Sequence, residues 1–318
     1  MSIIPATPQN IILAAQAIKK GEIVALPTET VYGLGADATC ATAVNKIFTA
    51  KGRPRFNPLI VHVASMTAAL EIATFAPLAQ CLAETFWPGP LTLVLPLRPG
   101  AIIPDVTVAG LATIALRMPA HPVAQCLIEA AGCPIAAPSA NISGHVSATT
   151  AAHVASDFGA DLAIVLDAGP AVHGLESTII DATGDMPVVL RPGSITNTQI
   201  KACAGEIGRD LKKQNSNPVA PGQLASHYAP HCAVRLAATH AAPGEALLAF
   251  GANTPQHDGP MINLSPTGDL TEAASNLFAS LRRLDATGPS GIAVMPIPED
   301  GLGIAINERL KRAAAPRP

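Results

Sequence analysis

The chain has 318 residues, 49% of them hydrophobic and 14% charged, a composition that excludes disorder and supplies cores for about two domains of ~150 residues. Twenty Lys and Arg against 23 Asp and Glu leave a net charge of −3, which excludes a globally basic nucleic-acid coat while permitting a local basic pocket. No stretch of ~20 apolar residues reads as a membrane span, and no basic segment leads into an apolar run as a secretory signal would, so the expected location is the cytoplasm.

Pro8 to Lys20 has helical apolar spacing and stops at Gly21. EIVAL at 22–26 predicts a strand, and Ala41 to Lys51 a helix closed by Gly52. LIVHV at 59–63, LTLVL at 91–95 and ATIALRM at 112–118 predict strands, followed by a helix from His121 to Ala131 with Gly132 as its cap. AIVLD at 163–167, STIID at 177–181 and VVLR at 188–191 add three strands. This order, with hairpin-like spacings at its end, argues for an α/β fold with a mixed sheet of α+β character rather than a pure doubly wound one. Lys212 to Pro230 is rich in Gln, Asn, Ser and Pro and reads as a linker. Beyond it, ALLAF at 246–250 and GIAVMPI at 291–297 flank a helical stripe of Ala273, Leu277, Leu281 and Leu284, the pattern of a small Rossmann-like open sheet. The expected division is 1–211, a linker or lid at 212–230, and 231–318.

Six cysteines at 40, 81, 126, 133, 203 and 232 include no CxxC pair and are expected to be free, buried thiols. His227, His231 and Cys232 are close in sequence, but Pro230 breaks the helix that would align them on a metal. Gly33-Leu-Gly35-Ala-Asp-Ala38 fits GxGxxA. Five residues, PTETV, separate it from the preceding strand, and the position for a ribose-binding acid falls among Arg53, Arg55 and Asn57. The glycines are therefore read as tight-turn residues, not a dinucleotide site.

Between Arg55 and Lys201 the cations are Arg98, Arg117 and Arg191, the last two at strand ends. They suit either structural ion pairs or, with Lys51, Arg53 and Arg55, one anion pocket. APSANISG at 137–144 offers Ser139, Asn141 and Ser143 before Gly144, a loop suited to phosphate or ribose contacts or an ordinary turn. Thr28, Glu29, Thr30 and Tyr32 follow the first strand and suit a polar ligand or a turn cap. No GxSxG supports a serine nucleophile. His62, mid-strand and taken alone, reads as a satisfied core histidine.

Together, PTETVYGLGADA, KGRPRFNPLIVHV, FWPGPLTLVL, ALRMPAHP, PIAAPSANISG, LESTIID and LRPG, in this order, closely resemble the threonylcarbamoyl-AMP synthases from about residue 10 to 195, with a weaker tail to the C-terminus. The resemblance implies a YrdC-like twisted mixed sheet around a concave, locally positive cavity, plus the extra C-terminal domain of the family's long form. It implies an enzyme, a nucleotidyltransferase joining L-threonine, bicarbonate and ATP, with Mg2+, into threonylcarbamoyl-adenylate and pyrophosphate. The product would pass to a transferase complex that modifies the tRNA adenosine next to the anticodon. Lys51 and Arg53 fall on the family's catalytic cations; Arg53, Asn57, Thr113, Ser139, Asn141, Ser147, Arg191 and Tyr228 on its ATP contacts; and Thr30, His62, Arg117, Ala137 and Ser177 on its threonine contacts. The family's linker often carries basic residues where this chain has Gln223, Leu224, Ala225 and Ser226, which leaves closure to Tyr228 and backbone contacts. Two other readings stay open: a nucleic-acid-binding module, weak in stacking platforms at 3% aromatic residues, and a carbamoyl-adenylate enzyme with another acceptor.

Overall fold

The computed structural model describes residues 2–159, 162–208, 220–222 and 226–316. Of the expected linker, 212–219 and 223–225 lie outside the described residues. Among those described, the first unit runs β1 (Ser2–Pro5), α1 (Pro8–Lys19), β2 (Val24–Leu26), β3 (Gly33–Asp37), α2 (Ala41–Lys51), β4 (Ile60–His62), α3 (Met66–Ile72), α4 (Pro77–Phe86), β5 (Leu91–Pro96), α5 (Asp105–Val108), β6 (Thr113–Arg117), α6 (Pro122–Ala131), β7 (Ile135–Ala136), α7 (Ala151–Phe158), β8 (Ile164–Asp167), β9 (Thr178–Asp181), β10 (Val188–Arg191) and α8 (Asn197–Ala204). The second runs β11 (Ala233–Arg235), β12 (Glu245–Ala249), β13 (Met261–Asn263), α9 (Leu270–Asp285), β14 (Gly291–Val294) and α10 (Gly303–Ala313).

The first ten strands form one sheet in the order β1-β8-β2-β3-β7-β4-β6-β5-β9-β10. Pairings are mixed: β4 runs parallel to β6 and antiparallel to β7, and β5 antiparallel to β6 and parallel to β9. The expected mixed sheet is thus present. The second sheet, β11-β14-β12-β13, is parallel throughout, the open arrangement expected. Helices start where local chemistry satisfies their free N–H groups: Thr7 Oγ1 accepts from Asn10 N ahead of α1, and His121 Nδ1 from Val123 N ahead of α6. The expected stripe of α9 is buried: Ala273, Leu277, Leu281 and Leu284 pack with Phe278 against Leu248 and Ile292 of the second sheet.

Two expectations fail. Gly33 and Gly35 form no tight turn; they lie in β3, paired with Leu26 and Val24 of β2. A Cβ on Gly35 would come within 2.7 Å of Leu26 Cδ2 and 2.9 Å of Ile135 Cγ2, so glycine is required there by close packing of side chains, not by a turn. The cysteines are free but not buried: Cys81 and Cys126 are exposed and the rest half-buried. Cys81 lies on α4 away from its buried Ala79, Leu82 and Ala83, and Cys126 on α6 away from its buried Ala124, Leu127 and Ile128.

The second unit docks against the first through α9. Arg282 of α9 donates to both oxygens of Asp157 at 2.8 and 2.7 Å and to the Ser147 carbonyl at 3.3 Å. Gly174 abuts α9 so closely that a Cβ there would lie 2.4 Å from the Ser275 carbonyl oxygen. No helix among the described residues is long and apolar enough to cross a membrane.

Candidate active site

Parallel pairing of β4 with β6 sets His62 beside Arg117. Parallel pairing of β5 with β9 brings Thr92 Oγ1 within 2.7 Å of Ser177 Oγ. A register shift in β10 between Val189 and Arg191 accompanies the Arg191 guanidinium on Ser177: Nε and Nη2 donate to its carbonyl at 3.1 and 2.9 Å, and Nη2 to its Oγ at 3.1 Å. These strand ends open onto one cavity, and the residues that line it come from distant parts of the chain: Thr30, Arg53, His62, Arg117, Ala137, Ser139, Ser177, Arg191 and Tyr228. Three guanidinia on one hollow give it the local positive charge that the net charge hides.

Lys51 does not line the cavity. Its buried ammonium lies behind the 137–144 loop, donating to the Ser139 carbonyl at 2.6 Å and to the Asn141 carbonyl, while Ser143 N returns a bond to the Lys51 carbonyl at 2.9 Å. Burial, then the Arg53 charge, push its pKa well below the usual lysine value. Arg53 is held at the rim of its own loop, with Nε donating to the Asn57 carbonyl at 3.2 Å and Nη2 to the Pro58 carbonyl at 2.9 Å; burial lowers its pKa to about 10, so it stays charged at neutral pH. Both side-chain polar atoms of Asn57, and Oδ1 of Asn141, are buried without a hydrogen-bond partner. Such atoms are rare in a folded protein, and neither Asn57 nor Asn141 lines the cavity. Ser147 Oγ donates to Glu176 Oε1 at the back of the cavity wall. Thr113 shares a face of β6 with Arg117 but sits four residues, ~13 Å, along the strand and outside the lining.

Arg117 is committed on three sides: Nη2 to Glu29 Oε1 at 2.5 Å, Nη1 to Thr30 Oγ1 at 2.8 Å and Nε to the Gly89 carbonyl at 3.2 Å. Two of its five N–H groups remain. Burial alone would raise the Glu29 pKa, but the Arg117 charge and hydrogen bond overcome it and hold the carboxyl at about 2. His62 is not the satisfied core histidine it reads as when taken alone; it lies where the resemblance implies a contact. It lines the cavity, its Nδ1 has no partner, and burial together with Arg117 pushes its pKa down to about 3, so the ring is neutral.

Sequence reasoning missed Glu176 and Arg309. Glu176 lines the cavity and accepts from Arg309 Nε of α10 at 2.8 Å. An acid at the mouth of the apolar strand pattern LESTIID was the available signal for the first; nothing in ERLKR separates a buried arginine from a solvated one. Among the described residues no three His, Cys, Asp or Glu side chains gather as a metal-binding set. His227 Nδ1 accepts from Tyr228 N, whereas His231 pairs with Asp285 at 2.7 Å. With Gly222, His227 and Tyr228 in place the cavity holds about 40 Å3, far below the ~300–1,000 Å3 of small-molecule sites.

A family model described as "Telomere recombination" matches residues 16–193, and one described as "Threonylcarbamoyl-AMP synthase, C-terminal domain" matches residues 195–315. The chain is 42% identical over 321 residues to a threonylcarbamoyl-AMP synthase of Bacillus subtilis, covering 96% of this chain and 92% of that protein. It is 43% identical over 324 residues to one of Pyrococcus abyssi, covering 96% and 94%. The solved structure of P. abyssi Sua5 complexed with L-threonine matches with a TM-score of 0.91 at 40% identity, over 99% of this chain and 98% of that one.

Proposed function

The chain belongs to the threonylcarbamoyl-AMP synthase family, and on that premise we propose that it joins L-threonine, bicarbonate and ATP into threonylcarbamoyl-adenylate and pyrophosphate. The observation that carries this reading is the convergence of Arg53, Arg117 and Arg191 with the hydroxyls of Thr30, Ser139 and Ser177 on one cavity.

Threonine sits against Thr30, His62, Arg117, Ala137 and Ser177. The two N–H groups that Arg117 has left take its carboxylate, and Glu29 fixes the guanidinium for that contact. The neutral His62 ring offers Nδ1 without bringing a competing charge. A threonine-bound relative supports this acceptor over another. ATP takes the other side, against Arg53, Ser139, Arg191 and Tyr228, with the unpaired amide of Asn57 and the unpaired Oδ1 of Asn141 as further partners. Mg2+ enters with ATP as part of the substrate, because the carboxylates at the cavity, Glu29 and Glu176, are already paired with guanidinia.

The threonine amine condenses with bicarbonate to a carbamate and water. A carbamate oxygen then attacks the α-phosphorus, and pyrophosphate leaves. No protein nucleophile is needed; positioning and charge stabilisation suffice. Arg53 and Arg191 offset the negative charge that builds on the phosphates, and Lys51 holds the Ser139–Asn141 carbonyls in register. Entry of a nucleotide requires the Tyr228 ring to withdraw, and its return excludes water from a mixed anhydride that hydrolyses. Transfer of that product to a tRNA-modifying complex in the cytoplasm completes the reading, with at most weak RNA binding by the chain itself.

Pyrophosphate release, followed with each component left out, tests this. Release that requires both threonine and bicarbonate is the expected result; release from ATP alone, or none with all three present, would contradict it.

A further inference from the structure

Tyr228 carries two unfavourable features at once. Its φ is 60°, a left-handed conformation that bulky residues rarely adopt, and its hydroxyl is buried without a partner. Such a residue persists where its surroundings over-determine it. Val31, Val146 and Leu175 of the first domain share its buried cluster and the His227 ring lies 4.2 Å away, but two of the groups that hold it belong to the second domain. The ring stacks on Phe278 of α9 with centroids 5.6 Å apart, and the Arg309 guanidinium of α10 lies 5.1 Å from its centroid. Arg309 is wholly buried; Nε donates to Glu176 Oε2 at 2.8 Å, Nη1 pairs with Glu308, and Nη2 has no partner. Glu176 lines the cavity and precedes Ser177, the residue that Arg191 grips. One guanidinium from the last helix therefore touches both the ring that fills the cavity and a carboxylate of its wall.

We propose that Arg309 is a positioning residue: it clamps Tyr228 into the cavity and so couples docking of the second domain to closure over the nucleotide. Its effect on turnover rests on the function proposed above; its effect on Tyr228 does not.

The chain has two tyrosines, Tyr32 and Tyr228, both buried, so nitration by tetranitromethane, located by peptide mass, reads the clamp without any turnover. In Arg309→Gln, nitration of Tyr228 is expected to rise about tenfold, the scale of one desolvated cation–π contact, with Tyr32 unchanged. Unchanged nitration of Tyr228 in the folded variant would overturn the proposal. If Arg309→Gln leaves Glu176 too costly to bury and fails to fold, Arg309→Gln with Glu176→Gln removes the unpaired charge, and the same rise is expected. In the kinetic arm, Arg309→Gln should raise KM for ATP about tenfold with KM for threonine changed less than about twofold, and Arg309→Lys should restore most of it. In a Tyr228→Leu background the Arg309→Gln effect should vanish; an equal rise in both KM values, or an effect that persists without Tyr228, would overturn the clamp. A wild type that forms no adenylate but shows the nitration contrast would contradict the proposed function and leave the clamp standing.

Discussion

Arg117 and Glu29 form a buried ion pair, Nη2 to Oε1 at 2.5 Å, and the same guanidinium donates to Thr30 Oγ1 at 2.8 Å. The carboxylate is what fixes the cation in the cavity wall. Replacing Glu29 with Gln removes the charge that steadies the guanidinium and leaves it only the Thr30 and Gly89 contacts, and the threonine requirement should rise more than the ATP requirement, by about tenfold for the loss of a charge-assisted contact. Initial rates against each substrate check this; equal changes for both would remove Arg117 from the amino-acid side.

The same pair should appear in acid stability. The folded-state pKa of Glu29, about 2, lies below its ordinary 4.5, so its contribution is full above pH 4.5 and is lost as pH falls toward 2, amounting to about 3 kcal/mol. Urea midpoints of wild type and Glu29→Gln should therefore converge between about pH 5 and pH 2. A gap independent of pH would contradict the assignment.

His62 should stay neutral through the physiological range, since burial, with Arg117 beside it, lowers its pKa from 6.5 to about 3. Its imidazole proton resonances should be flat from about pH 8 to pH 5, and threonine affinity should show no inflection from this ring. A midpoint near 6 in the His62 signal would refute the buried environment.

Lys51 and Arg53 should fail differently. Lys51→Met strips the Ser139 and Asn141 carbonyls of a buried donor, costing about 1–3 kcal/mol for each unpaired group, and should lower both melting temperature and turnover. Arg53→Ala unpairs the Asn57 and Pro58 carbonyls and should also lower the melting temperature, but in the folded variant pyrophosphate release should fall further, on the order of 10²–10³-fold. Calorimetry beside a pyrophosphate assay separates the two; wild-type turnover in Arg53→Ala would remove that residue from its role.

Gly35→Ala should destabilise by about 1–3 kcal/mol through overpacking, because the new methyl meets Leu26 and Ile135 within 3 Å. An unchanged melting temperature would show that β2 and β7 yield to it.

The helices closed by Gly52 and Gly132 were legible because their end signals are local, and the buried strands because their apolar runs are. β3 was not: glycines at 33 and 35 carry the mark of a turn, and what demands the second of them is a contact with Leu26 and Ile135 that exists only in the assembled sheet. The same divide runs through the site. Motif strings carried Arg53, His62, Arg117, Ser139 and Ser177 to one cavity. Lys51 falls by motif on one of the family's catalytic cations, yet its ammonium is spent on two carbonyls 88 and 90 residues away. Glu176 and Arg309 pair across 133 residues, and no spacing rule reaches that far.

The central claim is that one cavity condenses three small molecules. Supplying 13C-labelled bicarbonate with ATP and L-threonine, then weighing the product, tests it most directly. The account predicts an adenylate one mass unit heavier than with unlabelled bicarbonate, absent when threonine is omitted. An unlabelled adenylate, or a labelled one that forms without threonine, would contradict it.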